Sequence, residues 1–89
     1  MHVTYRIDKD IIYIAVEGRI DASNAAEAEE KIFGIKNDNP GKHTVLDADK
    51  LEYISSAGLR VILRLRKEEP KLAIINIAPD VYEVFDMTG

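Results

Sequence analysis

The sequence predicts a small α/β domain built on a mixed, four-stranded sheet in the element order ββαβαβα, with one antiparallel edge strand and packed helices. Three observations support this fold class. Short runs rich in β-branched and aromatic residues alternate with segments whose apolar residues recur at helical spacing. Polar, glycine or proline residues separate these segments. The 89 residues suffice for one domain, residues 1–89, and are too few for two.

The first two strands are predicted to form an antiparallel hairpin. Residues 3–8 alternate apolar and polar side chains, and a short polar turn at residues 8–10 leads into residues 11–16, which are mostly apolar. A continuous apolar strand is typical of the interior of an α/β sheet, so we expect the second strand to be covered on both faces, or nearly so. Gly18 is predicted to end this strand.

An amphipathic surface helix is predicted to follow the hairpin. Ser23 is a candidate N-cap, because its hydroxyl can accept a hydrogen bond from a free backbone N–H of the first turn. Acidic residues near the helix start are favoured by the helix dipole, which explains them better than a metal site does. The apolar residues at helical spacing are Ala25, Ala28, Ile32 and Ile35.

The second half of the chain is predicted to contain two further strands, each followed by a helix. Residues 43–49 form the third strand and residues 71–76 the fourth. Between them, a turn at Ser55 and Ser56 leads into a helix that continues to about Glu69. The apolar residues of this helix are Leu59, Ile62, Leu63 and Leu65, and those of a last helix, which begins near Pro79, are Val81, Val84 and Phe85.

The predicted topology places several polar residues at one edge of the sheet. Strands joined through a helix run parallel, so the loops after the second, third and fourth strands meet at their carboxyl ends. Open α/β sheets place their ligand and interaction sites at this edge. The polar residues that the loops carry there are Asp21, Ser55, Ser56 and Asn76, with Asp47 just beneath them.

Three segments of the chain resemble one family of bacterial regulators. The run YISSAGL at residues 53–59, with Asp47 upstream, resembles the segment around the phosphorylated serine of STAS domains, specifically the anti-sigma factor antagonists. The run VEGRIDA at residues 16–22 resembles the family signature before the first helix, and Asn76 with residues 81–89 resembles its end. The resemblance extends in order over nearly the whole chain and implies a STAS-like domain.

The resemblance implies a phosphorylation switch at Ser56. The family usually has Asp immediately before the acceptor serine, and this chain has Ser55 there, which makes Ser55 the second candidate acceptor. In such a switch the unmodified protein binds an anti-sigma factor that is also a serine kinase, which frees a sigma factor, and phosphorylation abolishes binding. The topology, this resemblance and the basic face of the helix after the serines together give the expected partner-binding residues, which are Asp21, Ser55, Ser56, Gly58, Arg60, Arg64 and Asn76.

The helix after the serines also carries a predicted basic stripe. Arg60, Arg64 and Lys67 follow one another at spacings of four and three residues, although the chain as a whole is acidic. Such a stripe is typical of a solvated helix face. It can also contact acidic groups of a protein partner.

Two alternatives to the switch remain open. Ser55 and Ser56 stand where a strand leads into a helix, so they can serve only as helix caps. The chain would then be a STAS module without a switch, such as a scaffold or a subunit of a larger regulatory or transport assembly. Catalysis is the less favoured alternative, because His2 and His43 are predicted away from the serines and no G-x-S-x-G motif is present.

Composition favours a protein partner. A net charge of −4 gives no electrostatic reason to bind nucleic acid. The chain has no cysteine, which agrees with a reducing compartment, and no apolar run approaches the about 20 residues of a membrane span. We therefore expect a cytoplasmic protein without metal or cofactor. No feature of the sequence sets its oligomeric state.

Overall fold

The chain folds as a mixed, five-stranded sheet packed against three helices. The structure is a computed structural model, which describes the backbone of residues 1–87 and the side chains of residues 1–83. The strands are β1 (His2–Asp8), β2 (Ile11–Ile20), β3 (His43–Asp47), β4 (Leu51–Ile54) and β5 (Ala73–Ile75), and the helices are α1 (Ala25–Asn37), α2 (Ser56–Glu68) and α3 (Pro79–Met87). The predicted α/β class is confirmed, and β4 is an additional short strand that the sequence did not indicate.

β2 is the central strand of the sheet. It pairs antiparallel with β1 along the whole of β1, and its residues 11–15 pair parallel with β3. β3 in turn pairs parallel with β5, which makes the strand order β1-β2-β3-β5. The predicted antiparallel edge strand and the predicted parallel strands are therefore both present.

β2 continues past Gly18 to Ile20, so the prediction that it ends at Gly18 is wrong. Gly18 has φ = +90°, a conformation that glycine adopts at little cost. The pairing register shifts between Gly18 and Arg19, as in a β-bulge. Beyond this irregularity β2 pairs with β4 in parallel, with Ile20 opposite Ile54. β2 therefore extends far enough for its last residue, Ile20, to lie beside the start of α2.

The hydrophobic core lies on one face of the sheet. Along β2, Ile12, Ile14 and Val16 are buried, whereas Tyr13 and Ala15 between them are only half-buried. The helices pack against the face that carries the buried residues, so β2 is fully covered on one face and only partly covered on the other, as the expectation of cover on nearly both faces allowed. The helices contribute Ala25, Ala28, Ile32, Val61, Ile62, Leu65 and Val81 to this core.

α1 begins at Ala25, and the predicted N-cap at Ser23 is wrong. The Ser23 hydroxyl donates a hydrogen bond to Asp21 Oδ1 at 2.5 Å, so it is directed at a carboxylate instead of a helix N–H. Asn24 occupies the N-cap position, but its side chain makes no cap bond. Its Oδ1 accepts from the Asp21 backbone N–H and its Nδ2 donates to the Arg19 carbonyl, both at 2.9 Å.

Leu63 is an exception among the predicted apolar residues of α2. Leu59, Ile62 and Leu65 are buried as expected, but Leu63 is 45% exposed. A helix turns about 100° per residue, so Leu63 lies about 160° around the helix from Val61 and from Leu65, both of which are fully buried. The prediction that Leu63 belongs to the buried face is therefore wrong.

α3 begins at Pro79 as predicted and packs against β4. Val81 is buried and belongs to the core. Val84 and Phe85, the other predicted apolar residues of this helix, lie outside the described side chains. The packing of α3 places the last helix over the same short strand that leads into α2.

Gly58 permits a close approach between α2 and the sheet. A Cβ atom at this position would lie 2.7 Å from Ile20 Cγ2 and 2.8 Å from Ile54 Cγ1. Both isoleucines are buried and β-branched, so their side chains have little freedom to move aside. The first turn of α2 is therefore held against the ends of β2 and β4 by direct contact with its backbone.

We expect Gly58→Ala to lower the free energy of unfolding by about 1–3 kcal/mol, because the added methyl group overlaps a packed core. Gly34→Ala in α1 is the matched control. A Cβ at Gly34 meets no atom within 4 Å, so this change should raise stability by about 0.5–1 kcal/mol through the helix preference of Ala. Urea denaturation at equilibrium measures both. Equal effects of the two substitutions would contradict the close approach at Gly58.

Candidate functional site at the start of α2

Ser55 is the N-cap of α2. Its Oγ accepts a hydrogen bond from the Gly58 backbone N–H at 3.3 Å, and its carbonyl accepts the first helical bond from the Leu59 N–H at 2.8 Å. Its own N–H donates to the Ile20 carbonyl at 2.9 Å. Ser55 thus connects the end of β2 to the first turn of α2, and its hydroxyl is used in this structural role.

Ser56 is the first residue of α2, and its side chain is exposed. Arg60, Leu63 and Lys67 follow it at spacings of four, three and four residues, which places them on one face of the helix. All four side chains are exposed. We call these four residues the α2 stripe. It combines a free hydroxyl position at the positive end of the helix dipole with one apolar and two basic side chains.

Arg64 lies beside the α2 stripe and is directed toward α1. Its Nε donates a hydrogen bond to Glu29 Oε1, and the two side chains form an ion pair between α1 and α2. Within residues 1–83, Arg60 and Lys67 form no ion pair. The predicted basic stripe is therefore divided, because its first and last members remain free while Arg64 is held by Glu29.

Asp21 lies beside the start of α2, since it follows directly on Ile20, whose carbonyl accepts the Ser55 N–H. The Ser23 hydroxyl and the Ser23 backbone N–H both donate to Asp21 Oδ1, at 2.5 and 2.9 Å. These hydrogen bonds, together with the charge of Arg19, hold the pKa of the Asp21 carboxyl below its ordinary value. A fixed negative charge thus stands next to the serines.

Asn76 lies at the same edge of the sheet but away from the serines. Its Nδ2 donates to Asp47 Oδ1 at 3.1 Å, and it has φ = +58°, which Asn adopts more readily than most residues. Asp47 is opposite Ala15 of β2. Ser55 comes directly after Ile54, which is opposite Ile20, five residues further along β2 than Ala15. At the rise of an extended strand, this difference corresponds to about 16 Å.

The structure thus divides the predicted constellation into two groups. The first consists of Asp21, Ser55 and Ser56 at the start of α2. The second consists of Asp47 and Asn76 at the ends of β3 and β5. A depression beside Asp47 has a volume of about 130 Å³, which is below the about 300 Å³ at which small-molecule sites begin. The candidate functional site is therefore the first group, at the start of α2.

Two exposed residues near this site were not predicted from the sequence. Leu63 was assigned to the buried face, although its spacing of seven residues from Ser56 would have placed it on the same face as that serine. Tyr53 is opposite Arg19 in the β2–β4 pairing, and the guanidinium lies 4.3 Å from the centre of the tyrosine ring. This contact could not be predicted without β4.

Within the described part of the chain, no three His, Cys, Asp or Glu side chains come close enough together to hold a metal ion. Residues 1–87 also contain no helix that is both long and apolar enough to cross a membrane.

Sequence comparison identifies the family. The sequence model of the STAS domain matches residues 2–89. The chain belongs to the STAS domain family. It is also 34% identical over 83 residues to BtrV of Bordetella bronchiseptica, which is provisionally named as an anti-sigma factor antagonist, and this match covers 89% of the chain and 71% of BtrV. The family predicted from the three sequence segments is therefore confirmed.

Solved STAS structures have the same fold. An anti-sigma factor antagonist from Mycobacterium paratuberculosis superimposes with a TM-score of 0.86 at 21% identity, over 99% of this chain and 77% of that protein. The anti-sigma factor antagonist SpoIIAA in its unphosphorylated form superimposes with a TM-score of 0.73 at 15% identity, over 97% of this chain and 83% of that protein. The STAS fold of this chain is thus shown by sequence and by structure.

We expect Ser23→Ala to raise the pKa of Asp21 toward the ordinary carboxyl value of about 3.9, because the substitution removes the hydroxyl donor to the carboxylate. NMR titration of the carboxyl carbon measures this shift. Ser23→Thr retains the hydroxyl and should leave the pKa low.

The lowered pKa also sets the direction of the pH effect on stability. A carboxyl whose folded-state pKa is depressed stabilises the fold above its unfolded pKa, and this contribution is lost as the pH falls through the folded value. The loss should therefore occur below about pH 4 in the wild type and should be smaller in Ser23→Ala. An unchanged Asp21 titration in Ser23→Ala would contradict the assigned hydrogen bond.

Proposed function

We propose that this STAS domain is an anti-sigma factor antagonist controlled by phosphorylation at Ser56. In this proposal the unphosphorylated domain binds, in the cytoplasm, an anti-sigma factor that is also a serine kinase, and this binding frees a sigma factor. Phosphorylation of Ser56 then abolishes the binding. The similarity to BtrV and the fold shared with SpoIIAA support the general role. The observation that supports the specific role of Ser56 is the difference between the environments of Ser55 and Ser56.

The two adjacent serines differ in what their hydroxyls do. Ser55 Oγ accepts a bond from the Gly58 N–H, so phosphorylation there would disrupt the cap of α2. Ser56 is exposed and makes no side-chain hydrogen bond within residues 1–83. A kinase needs an accessible hydroxyl, and removal of the Ser56 proton would not break a structural contact. We therefore assign the phosphate to Ser56 and the structural role to Ser55.

A phosphate at Ser56 should be compatible with the folded domain. It would add a charge of about −1.5 to −2 at the N-terminus of a helix, where free N–H groups and the dipole favour an anion. Arg60 lies one turn along the same face, at the spacing that favours pairing between opposite charges. The effect of the modification should therefore fall on the partner and not on the stability of this chain.

Phosphorylation would change the charge of the α2 stripe. Arg60 and Lys67 give the unmodified stripe two positive charges that no ion pair in the described part of the chain neutralises. A phosphate of about −2 would cancel them and would stand beside the negative charge of Asp21. An acidic partner surface that contacts the stripe would lose its attraction and would also have to desolvate a dianion. This charge change is the proposed switch.

Phosphorylation should occur on Ser56 and not on Ser55. The experiment is incubation of the domain with ATP and the anti-sigma-type serine kinases of its source organism, followed by intact mass and peptide mapping. We expect one added phosphate in the wild type and in Ser55→Ala, and none in Ser56→Ala. Ser55→Ala should also lower the free energy of unfolding by about 1 kcal/mol, since it removes the cap.

The binding step is tested with a pair of variants at Ser56. Ser56→Asp introduces a negative charge and should abolish binding to the anti-sigma factor. Ser56→Asn introduces a side chain of nearly the same shape as aspartate but without the charge, so this variant should still bind. Isothermal titration calorimetry measures both. Full binding by Ser56→Asp would contradict the switch, and the absence of phosphate with every kinase would favour a STAS module without a switch.

Charge reversal distinguishes the roles of Arg60 and Arg64 in α2. We expect Arg60→Glu to weaken binding by about tenfold and to reduce its salt dependence, because Arg60 is free to contact an acidic partner. Arg64→Glu should have a smaller effect on affinity, since Arg64 is already paired with Glu29. Its main effect should be a loss of stability of up to about 1 kcal/mol, as is typical of exposed ion pairs. Equal losses of affinity would show that Arg64 leaves Glu29 to bind the partner.

A further inference from the structure

β1 is an open edge of the sheet. It pairs with β2 along seven consecutive residues without a bulge, and its other side pairs with no strand in the described part of the chain. It contains no proline and no lysine, the residues with which proteins often prevent association of edge strands. The opposite edge strand, β5, has only three residues and is protected by its shortness. β1 is therefore the edge with backbone groups available for another strand.

β1 also exposes apolar side chains along this edge. Tyr5 is 52% exposed and Ile7 is 46% exposed, and they are two of the five large exposed apolar residues of the described chain. Both lie on the same face of the strand as Val3, which is half-buried against the core. A strand added at this edge would place its own side chains beside Tyr5 and Ile7 on the core-side face. This contact would remove apolar surface from water.

We propose that β1 pairs with β1 of a second copy of this chain, antiparallel, around a two-fold axis at Tyr5. Residues opposite each other in an antiparallel pair point to the same face of the sheet. A two-fold axis perpendicular to the sheet leaves every residue on its own face, so it must pass through a residue position and not between two residues. With the axis at Tyr5, all seven residues of β1 find a partner. The resulting pairs are Tyr5 with Tyr5, Thr4 with Arg6, Val3 with Ile7, and His2 with Asp8.

Charge and polarity favour this register over its neighbours. The apolar pairs fall on the core-side face, and the pair of an Asp8 carboxylate with a His2 imidazole occurs twice in the dimer. An axis at Thr4 would place His2 opposite Arg6, and an axis at Arg6 would place two arginines directly opposite each other. The two arginines would repel each other, and an axis at Thr4 would leave Ile7 and Asp8 without a partner in β1. β1 is thus self-complementary in only one central register.

The Arg6 side chain is also compatible with this arrangement. Its guanidinium lies 3.9 Å from the centre of the Tyr13 ring on the neighbouring strand, so it is held within its own chain. In the proposed register it is opposite the small Thr4 of the second copy. No charged side chain is then forced into an apolar environment.

The proposed dimer leaves the candidate functional site accessible. The first residue of β1, His2, is opposite Glu17 of β2. β4, which leads into α2, pairs with β2 only from Gly18 onward. A pairing of two strands buries less than the about 1,200 Å² of a standard interface, so the dimer should be weak. Its test is independent of phosphorylation and of the anti-sigma factor.

Cysteine cross-linking tests the axis directly, because the natural chain has no cysteine. Opposite residues in an antiparallel pair have Cα atoms about 4.5 or 5.5 Å apart, and both distances allow a disulfide. We expect Tyr5→Cys to form a covalent dimer rapidly under mild oxidation. Tyr82→Cys is the matched control, since Tyr82 is 54% exposed on α3, outside the proposed interface. Equally slow cross-linking of the two variants would overturn the proposal.

A charge exchange tests the register. His2→Asp should weaken dimerisation by about 3- to 30-fold, because it places two carboxylates opposite each other twice in the dimer, and Asp8→Lys should weaken it less, because it only removes the carboxylate partner of His2. The double variant should restore wild-type association, since the pairs are only reversed. Sedimentation equilibrium of the full chain up to about 1 mM measures the constants. A wild type that stays monomeric there, or a double variant no better than the single ones, would overturn the proposed pairing.

Discussion

The contact between the backbone of Gly58 and the side chains of Ile20 and Ile54 holds the functional end of this domain together. It brings the first turn of α2 so close to the sheet that no Cβ fits between them. With α2 held there, Ser55 can bond both to the end of β2 and to the first helical turn. Ser56 is then the first residue that faces outward. The accessibility of one serine and the structural use of the other thus both depend on this packing.

β2 connects the functional end of the domain to the rest of the sheet. Its first residues pair with β1 and β3, and the last ones, beyond the irregularity at Gly18, pair with β4. The α2 stripe lies on the helix that begins after β4, whereas the open edge of the sheet is β1 itself. Because different parts of β2 support them, the two surfaces are spatially separate. The proposed contacts with a regulatory partner and with a second copy therefore use different surfaces of the domain.

Much of the fold could be predicted from the sequence. Alternating and continuous apolar runs indicated the hairpin and two of the three strands that follow it, and helical spacing indicated all three helices. The rule that strands joined by a helix run parallel then placed Asp21, Ser55, Ser56 and Asn76 at one edge of the sheet. The short runs around the serines were also enough to predict the STAS family, which the match over residues 2–89 confirms. Such features depend on local spacing and chain order, which the sequence contains directly.

The tertiary structure alone decided which neighbouring groups bond to one another. The extension of β2 to Ile20 required a partner strand that is too short to give a periodic pattern. Ser23 bonds to a carboxylate instead of capping α1, and Arg64 pairs with a carboxylate on another helix. The separation of Asn76 from the serines follows from the pairing register. Spacing along the chain determines which face a residue occupies, whereas register and distance in space determine its contacts.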